Sequence, residues 1–286
     1  MVILAVSDVH IGYPNSEIKL FNHFLDDVIK RVTERNDVDK FVILGDFIDM
    51  WRRDVSGLFL ENHKTLELLL ALKQKTAVHY IVGNHDYHLR KLVLDSYPIR
   101  FEKEKRYPKC PKPSDVIYVF KHGYEFDPMQ CRPVMEYLCQ NMSDNAGQVR
   151  SDFWSWITRH PKSNECTEKA VKEYVKTNNE GRYNLFTKGN QRKKYISSVQ
   201  TPAKERKSSA FHLVEMIARG SLQDGEILVF GHTHRPFVSE DRRLINVGSW
   251  VSEEDTPNTY AELDGANVKL MQYNVGDITE KLTKPY

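Results

Sequence analysis

Val2-Ile3-Leu4-Ala5-Val6-Ser7-Asp8-Val9-His10 joins an apolar run directly to an Asp-x-His pair. Val2 to Val6 reads as a buried strand that stops where the chain turns polar. The same arrangement recurs four times. Phe41 to Leu44 leads into Gly45-Asp46-Phe47-Ile48-Asp49, and Val78 to Val82 into Gly83-Asn84-His85-Asp86. Val116 to Phe120 leads into Lys121-His122-Gly123, and Ile227 to Phe230 into Gly231-His232-Thr233-His234. In open α/β sheets ligands collect beyond the carboxyl ends of the strands, and glycine lets the backbone turn sharply there. Five such ends, spread over more than 220 residues, are therefore expected to converge.

The segments between them complete an α/β pattern. A helix is expected from an N-cap at Asn15 or Ser16, because Ile18, Phe21, Leu25, Val28 and Val32 recur at helical spacing on one face. Leu58 to Lys73 reads as a second helix. Arg243 to Val247 reads as a strand, and Asn258 to Leu263 and Val268 to Tyr273 flank Asp264-Gly265 as a hairpin. From about 125 to 220 aliphatic strand cores give way to helical stretches carrying Trp154, Trp156, Tyr174, Tyr183, Phe186, Tyr195 and Phe211. The expected organisation is a core of 1–124 and 221–286 interrupted by a helical cap, 125–220.

Composition fits a core of this size. Of 286 residues, 40% are hydrophobic and 28% charged, and the net charge of +2 makes no global case for nucleic acid or membrane. Charge is unevenly divided: residues 150–219 hold 15 Lys/Arg against 7 Asp/Glu, about +8, which leaves about −6 for the rest. An acidic core suits cations, and a basic insertion suits an anionic substrate. Cys110, Cys131, Cys139 and Cys166 form no CxxC pair and no zinc-finger spacing, so reduced thiols are expected. Val2 to Val6 is too short for a signal-peptide core, and no apolar stretch approaches the roughly 20 residues that span a bilayer. A cytoplasmic protein is expected; oligomeric state is not legible.

The residue types at the five strand ends point to metal chemistry. Aspartate oxygens with imidazole nitrogens suit Mn, Fe, Zn, Co or Ni, whereas Mg or Ca prefers oxygen alone. A carboxylate can bridge two cations about 3.5–4 Å apart, the spacing used in phosphoryl chemistry.

With Asp8-x-His10, Gly45-Asp46-x-x-Asp49, Gly83-Asn84-His85-Asp86, His122-Gly123 and Gly231-His232-x-His234 in this order, the sequence resembles the calcineurin-like metallophosphoesterases. Asn246-Val247-Gly248-Ser249 is similar to that family's closing strand and turn. The resemblance covers the core and not the insertion. It implies a four-layer α/β/β/α sandwich of two mixed sheets. It also implies two divalent cations, Mn²⁺ foremost with Fe, Zn, Ni or Co as alternatives. Asp8, His10 and His234 would hold the first, Asn84, His122 and His232 the second. Asp46 would bridge both, with a water or hydroxide as the other bridge.

That hydroxide is expected to attack phosphorus in line with the leaving oxygen. His85, beside the ligand Asn84 but not an expected ligand, is the candidate general acid. A carboxylate should orient it; Asp49 fits the resemblance to phosphoprotein phosphatases, and Asp86 is the rival. Arg52 and Arg53 follow the second motif and are candidates to grip phosphate.

Gly45 to Trp51, the insertion after His122-Gly123 and Gly231 to Pro236 look most like the UDP-2,3-diacylglucosamine hydrolases, which cleave a pyrophosphate. That group usually carries Arg where His85 stands, and His85 fits mono- and diesterases whose leaving groups need a proton. The expected substrate is a phosphorylated small molecule, nucleotide or lipid. The alternatives are a pyrophosphate hydrolase of the UDP-diacylglucosamine type and a nuclease or nucleotide phosphodiesterase, the latter because Arg192-Lys193-Lys194-Tyr195 could meet a nucleic-acid backbone and bases. A non-catalytic protein-binding scaffold is the remaining reading.

Overall fold

The computed structural model describes residues 1–91, 99–108, 110–111, 115–127 and 203–284. Among the described residues, thirteen strands form two mixed sheets. β1 (Val2–Val6), β2 (Lys40–Leu44), β3 (Ala77–Ile81) and β4 (Phe101–Glu102) run parallel on one side of the first sheet. The antiparallel strands β10 (Thr259–Asp264), β11 (Asn267–Gln272) and β12 (Gly276–Asp277) extend it beyond β1. The second sheet has the order β13-β8-β9-β7-β6-β5. Its strands are β5 (Lys105–Tyr107), β6 (Ile117–Phe120), β7 (Glu226–Phe230), β8 (Phe237–Ser239), β9 (Leu244–Asn246) and β13 (Thr283–Lys284).

Alternation along the strands builds the layers. On the first sheet, Ile3, Ala5, Val42, Leu44 and Ile81 point inward and meet Tyr118, Phe120, Val229, Ile245 and Val247 of the second. The opposite face carries Leu4, Val6, Phe41, Ile43, Val78 and Tyr80, covered by Phe21, Phe24, Leu25 and Val28 of α1 (Ile18–Lys30) and by Leu58, Leu69 and Leu72 of α2 (Val55–Lys73). The outer face of the second sheet, with Val119, Leu228, Phe230, Phe237 and Leu244, packs on Val214 and Ala218 of α3 (Ala203–Gly220). The fold is thus a four-layer α/β/β/α sandwich. α3 lies in the last part of the expected insertion; residues 128–202, which hold most of it together with the Arg192–Tyr195 run, lie outside the described residues. Of the four cysteines, Cys110 is described, and it is free and exposed. No described helix is long and apolar enough to cross a membrane.

Several boundaries differ from expectation for local reasons. α1 begins at Ile18 without a side-chain cap, because the Ser16 hydroxyl is spent on the Val9 carbonyl. α2 starts three residues early, since Asp54 caps it through the Gly57 amide (2.8 Å), and it kinks at Asn62. The short strands β4, β5, β8, β12 and β13 are two or three residues long, too brief for an alternation pattern to show.

Near the β3 and β5 edges, the Tyr107 hydroxyl donates to His79 Nε2 (2.6 Å) and links one sheet to the other. Burial and the Lys105 ammonium push His79 down to about 4. Its folded value lies below the unfolded value near 6.5, so the stability it gives is complete above about pH 6.5 and is lost as the pH falls through about 4. The ring is half-buried and screened by solvent, which keeps the effect near about 1 kcal/mol. Thermal unfolding between pH 7 and 4 should therefore show a shallower acid loss for His79→Gln than for the wild type; parallel curves would refute the assignment.

Candidate metal centre

The loops after β1, β2, β3, β6 and β7 meet where the carboxyl ends of the two sheets adjoin. Backbone bonds carry the strand pairing into the loops: Asp8 N to Gly45 O (3.2 Å), His10 N to Asp46 O (2.9 Å) and Gly231 N to His122 O (2.8 Å). Asp8, His10, Asp46, His232 and His234 all hold φ between 49° and 67°. This left-handed region costs a residue with a Cβ about 1 kcal/mol or more, and strain of that kind persists where the surroundings impose it. Gly83 is required by close approach, because a Cβ there would overlap Asp46 Oδ1.

Three overlapping groups result: Asp8, His10 and His234; His10, Asp46 and His85; and Asp46, His122 and His232. Asp46 sits between them. Its Oδ1 accepts the His85 amide (2.7 Å). Its Oδ2 lies 3.3 Å from His122 Nε2 and 3.9 Å from both His10 Nε2 and His85 Nε2. His10 Nε2 and His234 Nε2 are 3.1 Å apart, and His234 Nε2 is 3.2 Å from Asp8 Oδ1. Asn84 Oδ1 lies 3.0 Å from His122 Nε2 and 3.1 Å from His232 Nδ1. Ligand atoms that share a cation at about 2.0–2.2 Å stand roughly 3 Å from one another, which is the separation seen here.

Each imidazole is also oriented from behind. His10 Nδ1 donates to Asp49 Oδ2 (3.2 Å), His122 Nδ1 to the Leu44 carbonyl (2.6 Å), His234 Nδ1 to Glu254 Oε1 (3.2 Å) and His232 Nε2 to Asp127 Oδ2 (3.0 Å). The outward N–H fixes the tautomer and leaves the other nitrogen's lone pair facing the pocket, as metal-bound histidines require. Asp8 Oδ2 accepts the His232 amide (2.8 Å) and the Ser7 hydroxyl, whereas buried Asp8 Oδ1 accepts no hydrogen bond. An orphaned buried carboxylate oxygen among imidazole lone pairs fits divalent cations.

The electrostatics agree. Burial opposes charge on His10, but Asp49 and Asp8 outweigh it and raise the ring to about 10. Burial likewise opposes a charged His122, and Asp46 and Asp8 raise it to about 10. Asp8, Asp46 and Asp49 stay far below the usual carboxylate range against burial, held by these histidines and His85. The excess negative charge that draws protons onto the rings is the charge that draws metal, and cations release those protons on binding.

His85 belongs to one of the three overlapping groups, with its Nε2 facing Asp46. Its Nδ1 donates to Asp49 Oδ1 (2.9 Å), and its ring stacks on Trp51 (centroids 4.0 Å, 24°). Burial lowers His85 against the opposing pull of Asp49 and Asp46. Asp86 does not reach the His85 ring: its oxygens take the Phe47 (2.9 Å) and Gly83 (2.6 Å) amides and the Tyr80 hydroxyl (2.6 Å). Arg52 pairs with Asp49 and lies over the Tyr13 ring (4.5 Å). Arg53 is turned away onto Glu61 and Asp54, so the structure does not bring it to the pocket.

Sequence reasoning missed Asp127, Glu254, Trp51 and Ser7. Ser7 and Trp51 adjoin motifs, but their contacts depend on how the loops pack; Asp127 and Glu254 belong to no motif and left no signal.

Comparison with known proteins places these observations. A family model described as calcineurin-like phosphoesterase matches residues 1–236. A search of curated proteins finds no match. Among solved structures, the chain is similar to an archaeal phosphodiesterase at 14% identity and TM-score 0.39, over 95% of this chain and 99% of that one. It is also similar to a dimetal phosphatase from Danio rerio at 13% identity and TM-score 0.44, over 97% of this chain and 96% of that one. With the family model spanning the larger part of the sequence and all five of its strand-end motifs gathered in one pocket, the chain belongs to the calcineurin-like phosphoesterases and is a hydrolase.

Proposed function

We propose that the protein is a dinuclear metal-dependent phosphoesterase that hydrolyses phosphate mono- or diesters, with His85 as general acid and the insertion shaping substrate choice. The reading rests above all on four imidazoles, each fixed by an outward N–H bond, that turn their other nitrogens toward Asp8, Asp46 and Asn84.

Asp8, His10 and His234 would hold one cation and Asn84, His122 and His232 the other, with Asp46 shared. Manganese is the first choice and Fe, Zn, Ni or Co the alternatives. Two bound cations neutralise phosphate charge and lower the pKa of water so that hydroxide is available near neutral pH. The chain's own task is then to protonate the leaving oxygen. His85 Nε2 faces the pocket 3.9 Å from Asp46 Oδ2, and Asp49 fixes the opposite nitrogen as a donor. The Asp49 carboxylate favours the protonated ring and burial opposes it, a balance suited to a group that must give its proton away. Stacking on Trp51 restrains the ring's tilt. Arg52, held at the rim by Asp49 and Tyr13, offers a guanidinium to a phosphoryl oxygen.

Purified protein supplied with Mn²⁺ should hydrolyse p-nitrophenyl phosphate or bis-p-nitrophenyl phosphate, and Asp46→Asn should abolish the activity. The ratio of the two rates separates monoesterase from diesterase. A folded, metal-supplied preparation that takes up no metal and cleaves neither ester would sink the reading. His85→Ala should retain both cations yet lose about 10²–10⁴ in rate on alkyl esters with poor leaving groups, and far less on nitrophenyl esters. Equal losses on both would remove His85 from the acid role.

A further inference from the structure

Two carboxylates outside the strand-end motifs meet the paired histidines of Gly231-His232-Thr233-His234. Asp127 follows the short helical turn Tyr124–Phe126 after β6. It accepts from His232 Nε2 at 3.0 Å, while His232 Nδ1 faces Asn84. Glu254 lies in the β9–β10 connection and accepts from His234 Nδ1 at 3.2 Å, while His234 Nε2 faces Asp8 and His10. The two rings are two residues apart in sequence but use opposite nitrogens toward the pocket, because their carboxylates approach from different sides.

We infer that Asp127 and Glu254 are positioning residues that tune the two cation sites separately, Asp127 acting through His232 on the second and Glu254 through His234 on the first. The inference rests on the dinuclear reading above. A carboxylate behind a ligating imidazole fixes the ring and raises its basicity, and its loss costs roughly 10- to 100-fold in metal affinity. The separation follows from geometry. His232 turns to Asn84 and belongs with Asp46 and His122, whereas His234 belongs with Asp8 and His10. No ring is shared between the two carboxylates in these contacts.

The two sites can be followed by titrating metal-free protein with Co²⁺ and reading its visible absorption, with Asp8→Ala and Asn84→Ala as references for the spectrum of each site. Asp127→Ala should weaken the second site about 10- to 100-fold and leave the first within about twofold, and Glu254→Ala should do the reverse. Asp127→Asn and Glu254→Gln, whose amide oxygens still accept the ring N–H, should recover most of each loss while keeping the fold of the alanine variants' parent. Equal weakening of both sites by either variant, no weakening at all, or no recovery by the amides would overturn the assignment. A wild type that binds fewer than two Co²⁺ would instead overturn the dinuclear reading, and is told apart because no variant is involved.

Discussion

Ionised carboxylates held out of water are the constraint on which this molecule turns. Asp8, Asp46, Asp49 and Asp86 are all buried within one set of loops. Unpaired, such charges would be prohibitive in an interior. Here His10, His122 and His85 face three of them, and backbone amides with the Tyr80 hydroxyl face the fourth. Burial and the nearby Asp46 charge still push Asp86 up to about 6, a sign of how much negative charge the pocket concentrates. Divalent cations would relieve that concentration, and the ring nitrogens turned to the pocket could receive them.

The four-layer packing makes this concentration possible. Neither sheet owns the pocket: Asp8, Asp46 and Asn84 follow strands of the first, and His122, His232 and His234 follow strands of the second. Asp8 joins them, because one of its oxygens accepts the His232 amide while its backbone carbonyl accepts the Trp250 amide (3.1 Å). Asn246 braces the same junction by donating to the Gly231 carbonyl (2.8 Å) and the Thr233 hydroxyl (3.0 Å). The left-handed backbone at Asp8, His10, Asp46, His232 and His234 is sustained by this bracing, and the helices outside the sheets supply apolar burial that offsets the strain.

Asp49 touches two rings and, on the function proposed, would tie metal binding to acid catalysis. One oxygen meets His10, whose other nitrogen faces Asp8 and His234; the other meets His85, whose other nitrogen faces Asp46. Arg52 closes on the same carboxylate from the rim. Arg52, His10 and His85 thus all meet one carboxylate.

The sequence by itself determined the strands that end at the motifs, the two helices over the first sheet, the hairpin at Asp264-Gly265 and the types of residue that could hold metal. These are local matters: apolar periodicity, turn chemistry and ligand identity are written in neighbouring residues. By resemblance it also favoured Asp49 over Asp86 as the orienting partner of His85, although both sit in motifs and no local pattern shows the contact. Only the tertiary structure separated their contacts, by spending Asp86 on amides of two loops and leaving Asp49 between His10 and His85. The same holds for Arg52 and Arg53, adjacent in the chain yet sent to different carboxylates by the turn into α2. Asp127 and Glu254 lay beyond sequence reading altogether, since a carboxylate that supports a histidine more than a hundred residues away, as Asp127 supports His232, is defined by where two sheets meet and by no pattern along the chain.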